Sequence, residues 1–219
     1  MRVYIILFLA IVFVSCRQHD RYKEDDLFFD YRISAEEGSD SASVLVQFKL
    51  RRISGPALTL DNKSSIKFDD DTIPLGRSKV TGTYYALTRS VNDISGKHTL
   101  TYTSSTGKSY ITHFEFYPFS LVSALPDTIR NGGLTVHFTD LDSLDHLQII
   151  ITDTSFKGEG VNKTFPVRNR ELILSPGDLS KLNPGPLQFE IQHNTEMRIN
   201  RGSLLMSYVM RKEIWFSRQ

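Results

Sequence analysis

The chain has 219 residues, 26 basic and 25 acidic side chains for a formal net charge of +1, 40% hydrophobic residues and a single cysteine. That balance excludes the global positive field that draws proteins to nucleic acid, and a lone cysteine excludes an internal disulfide. Beyond an N-terminal apolar segment, about 200 residues remain, enough for two small domains or one larger all-β domain.

Arg2 precedes the apolar run from Val3 to Val14, which at roughly a dozen residues falls short of the about 20 needed for a membrane-spanning helix. Residues 1–15 therefore read as a secretory signal peptide. The segment closes on Phe13-Val14-Ser15-Cys16, which resembles the lipobox of bacterial lipoproteins, with Phe13 where leucine is usual. The resemblance implies that Cys16 is lipidated, becomes the new N-terminus and anchors the chain to the outer membrane. Each buried acyl CH₂ contributes about 0.8 kcal/mol, so such an anchor holds. Residues 16–26 read as the lipidated cysteine and a flexible, solvated tether, polar apart from Tyr22 and up to about 33 Å long. Lys23-Glu24-Asp25-Asp26 is similar to the acidic export signals of Bacteroidota surface lipoproteins. Arg17-Gln18-His19 occupies their usual place directly after the cysteine, and both the periplasmic and the surface face stay open.

From Leu27 onward, period-two alternation predicts half-buried strands separated by turn residues. Phe29, Tyr31 and Ile33 form one such run, and Val44, Val46, Phe48 and Leu50 the next. "ALTL" at Ala57, "SIKF" at Ser65, "TYYALT" at Thr83, "HTLTYT" at His98 and "SYITHFEFY" at Ser109 follow. The density predicts an antiparallel sandwich over residues 27–118. Pro118 and Pro126 then bracket a segment that suits neither a central strand nor a helix. The pattern restarts with Leu134, Val136 and Phe138, continues through Leu147, Ile149 and Ile151, then Val161, Phe165, Val167 and "ELIL", and ends with "LQFEIQ" (Leu187 to Gln192) and the long run from Ser203. A second sandwich over residues 119–219 is expected. Phe119, Leu121 and Leu125 are the residues expected to dock it on the first.

The two halves share a pattern. "GKHTLTY" from Gly96 aligns with "GPLQFEI" from Gly185, with larger or apolar side chains at the second, fourth and sixth positions after each glycine. Glycine permits a turn most residues resist, and the alternation then sends those side chains inward. Both copies resemble the turn and penultimate strand of immunoglobulin-like and fibronectin type III-like modules in bacterial surface proteins. The fold this implies is all-β: two tandem antiparallel immunoglobulin-like β-sandwiches. His98 and Leu187 stand where those modules usually carry tyrosine, so no tyrosine-corner hydrogen bond is expected. The resemblance speaks for fold rather than function.

Reactive constellations are not legible. There is no G-x-S-x-G elbow, and His19, His98, His113, His137, His146 and His193 show no H-x-H or H-E-x-x-H spacing. Asp69-Asp70-Asp71 and the set Asp140, Asp142, Asp145 and Asp153 offer oxygen ligands of the type calcium takes, but without an EF-hand loop, and turns favour Asp for local hydrogen bonding alone. No metal and no cofactor is expected. A glycan platform needs exposed rings. Tyr84, Tyr85 and Trp215 are the candidates, since adjacent tyrosines on a strand must face opposite ways, with Tyr117 and Phe119 as further rings at the bend. Asp followed by Ser or Thr and an apolar or small residue occurs at Ser41, Thr72, Thr128 and Ser143, which resembles the O-glycosylation motif of exported Bacteroidota proteins.

The expected function is a non-enzymatic, lipid-anchored cell-envelope protein, a spacer or protein-interaction subunit of an envelope assembly. The alternative is a glycan-binding accessory lipoprotein of a polysaccharide-capture system. Expected partners are the membrane through the N-terminal lipid and an envelope protein or glycan, with no nucleic acid.

Overall fold

The computed structural model describes residues 22–141, 145–153 and 159–218. Cys16 and Ser143 lie outside them. In the first half, β1 (Leu27–Glu36) and β2 (Ser41–Leu50) pair antiparallel and bury Phe29, Tyr31, Ile33, Val44, Val46 and Phe48 on one face. β3 (Ala57–Leu58), β4 (Ser65–Phe68), β5 (Asp71–Thr72), β6 (Leu75–Ser78), β7 (Gly82–Ser90), β8 (Gly96–Thr103) and β9 (Ser109–Phe116) follow. β1, β2, β7 and β6 are neighbours in one sheet, and β5, β4, β8 and β9 form the opposing one. This is the A-B-E-D and C-F-G strand order of the constant-type immunoglobulin sandwich. Its core is aromatic: Phe48 lies 4.9 Å from Tyr102 and 5.4 Å from Phe29 between ring centroids.

The second half contributes β10 (Ser120–Leu121), β11 (Thr128–Arg130), β12 (Leu134–Thr139), β13 (His146–Asp153), β14 (Val161–Pro166), β15 (Glu171–Leu174), β16 (Gly185–Ile199) and β17 (Gly202–Ser217). β10, β12 and β15 make the smaller sheet, while β14, β13, β16 and β17 run side by side in the larger, with β11 parallel to the end of β17.

The internal repeat has a structural counterpart. Gly96 and Gly185 open β8 and β16 at φ +122° and +135°, the region that favours glycine. Each follows a helical turn, Val91–Ile94 or Pro176–Leu179, N-capped by Ser90 or Ser175. Leu100 and Tyr102 in one copy, and Leu187, Phe189 and Ile191 in the other, are buried as the alternation predicts.

Two readings need correction. The sequence reading ends a strand at Gln192, whereas β16 runs on to Ile199, because a ladder with β17 from Ile199↔Gly202 to Gly185↔Phe216 sustains it. Asn194, Thr195, Glu196 and Arg198 are exposed, so this stretch lacks the one-sided burial that makes strands visible in sequence. The tether expected through Asp26 is also too long: from Tyr22 onward the chain is docked, with a 3₁₀ turn at Glu24–Asp26 leading into β1.

The long hairpin joins the halves. β1 pairs parallel with β17 from Phe29↔Gly202 to Glu36↔Val209, so the larger sheets of both sandwiches form one ten-stranded sheet in the order β14-β13-β16-β17-β1-β2-β7-β6, with β3 and β11 alongside. The tandem sandwiches lie edge to edge on a common sheet rather than as separate beads.

Candidate functional site

The feature that sets this chain apart from two sandwiches in series is the junction made by the β16–β17 hairpin. Beyond His193, where β13 stops pairing with β16, the hairpin leaves its own sandwich and lies along β1. Leu204 is fully buried there and Tyr208 nearly so. Phe119, from the bend between the sandwiches, sits edge-on to Tyr208 at 5.1 Å and to Phe138 at 5.7 Å. Of the residues expected to dock the second sandwich on the first, Phe119 and Leu125 are buried and Leu121 packs half-buried against the core, and the ring contacts of Phe119 are to Phe138, His193 and Tyr208 of the second half. Lys212 donates to the Leu125 carbonyl and to Asp127, fastening the same bend to β17. On the outer face Arg211 bridges Glu190 of β16 and Glu36 of β1. Gly202 is required by close approach, since a Cβ there would meet the Phe29 carbonyl oxygen at 1.9 Å.

At the hairpin tip a second cluster holds the N-terminal segment. Arg201 donates to the Glu24 carbonyl and the Asp25 carboxylate, and its guanidinium lies 5.0 Å from the Tyr110 ring centre. Tyr110 in turn donates to the Glu24 carboxylate at 2.5 Å and Thr106 donates at 3.3 Å. The Tyr110 hydrogen bond holds the Glu24 carboxyl below its ordinary range, and Arg201 does the same for Asp25. Tyr22 donates to the Thr59 carbonyl, and burial pushes its hydroxyl up to about 12. Asp26 pairs with Arg51. Three of the four residues in the expected export signal therefore have partners within the fold. Lys23 is exposed.

Between the sandwiches a cleft of about 410 Å³ is lined by Glu115 and Tyr117 from one side and by Asp140, Asp145, Arg170, His193 and Tyr208 from the other. His193 and Asp145 are 3.2 Å apart. Of the acidic sets, Asp140 and Asp145 share this cleft, while Asp153 is buried and accepts from Asn183. Asp69 binds His98 and the Thr99 amide, and Asp71 binds Arg89. Among the described residues no group of three or more His, Cys, Asp or Glu is placed to hold a metal ion.

The three candidate rings for a glycan platform, Tyr84, Tyr85 and Trp215, are not neighbours on one surface. Tyr85 is buried and its hydroxyl accepts from the Leu60 amide. Tyr84 takes the opposite face, half-buried and lying across Gly76 of the neighbouring strand. Trp215 is 53% exposed, but the register places Tyr85 level with Leu204 through Val46 and Tyr31, so Trp215 lies roughly 35 Å farther along the strand direction. Ser41, Thr72 and Thr128 are exposed, each followed by a buried residue, Ala42, Ile73 or Ile129. In each triplet the hydroxyl-bearing residue faces solvent and the residue after it turns inward. Sequence reasoning missed Arg201 and Tyr110, whose partners lie far away in the chain.

No family model and no curated protein matches the chain. Among solved structures, it aligns with Escherichia coli alpha-2-macroglobulin activated by porcine elastase over 87% of its own length and 20% of that chain, at 13% identity and a TM-score of 0.31. A tetra-tandem repeat in the extending region of a large adhesion protein aligns over 85% of this chain and 49% of that one, at 16% identity and a TM-score of 0.29. The Yersinia pseudotuberculosis adhesin InvE aligns over 90% and 62%, at 10% identity and a TM-score of 0.24. The chain spans about a fifth of the first of these. The assignment to sandwiches rests on the strand order alone.

Proposed function

We propose that this chain is a non-enzymatic, lipid-anchored cell-envelope protein, attached to the outer membrane through Cys16 and working as a spacer or protein-interaction subunit. The observation that carries this reading is the shared sheet, which makes one elongated body of two sandwiches. Its N-terminal entry at Glu24–Asp26 is tied to the hairpin tip at one end, and β17 runs continuously over 16 residues toward the other, a span of roughly 50 Å. Such a body holds whatever it contacts at a fixed distance and orientation from its N-terminal attachment. Two strand edges support an interaction role: β9 ends its sheet, and β16 has no partner on one side from Asn194 to Ile199 among the described residues. Unpaired backbone groups of this kind accept a partner's extended segment.

Nothing in the placement of Tyr84, Tyr85 and Trp215 favours the glycan-binding alternative. Ser41, Thr72, Thr128 and Ser143 remain proposed O-glycosylation positions, and the two sandwiches, 27–118 and 119–219, the proposed units. The test is metabolic labelling with a fatty acid together with cross-linking and affinity capture of the tagged chain in the envelope, wild type against Cys16→Ala. Label and membrane recovery that vanish with Cys16, and partners captured only with it, support the reading. Membrane recovery that survives Cys16→Ala overturns it.

A further inference from the structure

We infer that the parallel ladder between β1 and β17 is a tensile lock, built to resist force applied between the chain's N-terminal attachment and the far end of the second sandwich. The biological use of such a lock rests on the anchoring proposed above, whereas the mechanical property belongs to the fold itself.

β1 and β17 run in the same direction, paired over eight residues from Phe29↔Gly202 to Glu36↔Val209. Tension entering at Leu27 pulls β1 toward its own N-terminus. The opposing pull, leaving through the C-terminal part of β17, draws that strand the other way. The two strands are thus loaded in shear, and the hydrogen bonds between them share the force instead of failing one at a time, because the pull acts along the strands and so strains every bond of the ladder together. On its other flank β1 is paired with β2 from Leu27↔Leu50 to Ala35↔Ala42, so β1 has no free edge along this span. Sliding would also drag Phe29, Tyr31, Ile33 and Ala35 out of a closed core. The Arg201 and Tyr110 contacts to Glu24 and Asp25 carry the first part of the pull before it reaches the ladder.

The test is single-molecule force spectroscopy on the unlipidated chain, with Cys16, the only cysteine, as one attachment point. A second cysteine goes either at Gln219→Cys, which loads β1 and β17 in shear, or at Asn200→Cys in the exposed hairpin turn, which lies beside the start of β1 and peels the same ladder from one end. Forced unfolding reads the barrier directly. Rupture at several-fold higher force for the Gln219 attachment than for the Asn200 attachment, at one loading rate, is the expected result. Equal forces in the two geometries, or a lower force in shear, overturn the inference. Circular dichroism of both variants establishes that each is folded beforehand, and because no lipid takes part, failure here is distinct from failure of the proposed anchoring.

Discussion

Arg201 donates to the carboxylate of Asp25 across 176 residues of chain, joining the tip of the last hairpin to the segment that leads into the first strand. The contact is exposed on the Asp25 side, so its effect is local. Arg201→Ala is expected to free the Tyr22–Asp26 segment and speed tryptic cleavage after Lys23 several-fold, while the melting temperature of the whole stays nearly unchanged. Unchanged cleavage at Lys23 counts against the clamp.

Asp30 is buried on the outer face of the sheet, 3.0 Å from Arg32 and 2.9 Å from Lys49. Burial raises its pKa, but the hydrogen bonds and charges of Arg32 and Lys49 outweigh it and leave the group below its ordinary value. A depressed folded pKa means that the unfolded chain binds the proton more readily. The contribution to stability is complete above the unfolded value near 3.9 and is lost as pH falls through the lower folded value. Urea midpoints are expected to hold from neutral pH to about 5 and to fall below about 4. Asp30→Asn should cost about 2 kcal/mol at neutral pH, less than for a fully enclosed pair because Arg32 is half exposed, and should flatten the acid limb. An acid limb identical to wild type would sink this assignment.

Tyr31 is fully buried, and its hydroxyl has no hydrogen-bond partner among the described residues. Tyr31→Phe keeps the ring and removes the unpaired group, so stability should stay level or rise by about 1 kcal/mol. Leu204→Ala, at the residue level with it on β17, should cost about 3 kcal/mol through the cavity it leaves. Chemical denaturation of the two variants side by side checks the contrast, and a clear loss in Tyr31→Phe would show that the hydroxyl is satisfied in solution.

Because one sheet crosses both sandwiches, they are expected to unfold together. Trp215, the only tryptophan, reports on the second sandwich, and far-ultraviolet circular dichroism reports on all strands. Coincident transitions by the two probes are the expected outcome; a tryptophan transition separated from the rest would mean that the hairpin arm does not couple the halves.

Gly202→Ala tests the arm by itself. The added methyl meets the Phe29 backbone rather than a movable side chain, so the cost is that of overpacking, about 1–3 kcal/mol. Protection of the β1 amides from hydrogen exchange should fall with it. Unaltered exchange in β1 would mean that the arm tolerates displacement.

Strand faces were legible in the sequence because burial on one side of a sheet follows a local period of two. Phe29, Tyr31, Ile33, Val44, Val46 and Phe48 all lie where alternation puts them, and the Gly96 and Gly185 turns are legible because a backbone at positive φ favours one residue type. Adjacent Tyr84 and Tyr85 had to point opposite ways, yet only the packed structure decided that Tyr85 is the one inside. The extension of β16 past Gln192, the parallel pairing of β1 with β17 and the docking of Glu24 and Asp25 were also decided by tertiary structure alone. The ladders are made by backbone N–H and C=O groups, which every non-proline residue carries alike, and the clamp joins residues whose separation in the chain says nothing of their separation in space. The alternating side chains determined what each strand buries, and the assembled sheet decided which strands meet.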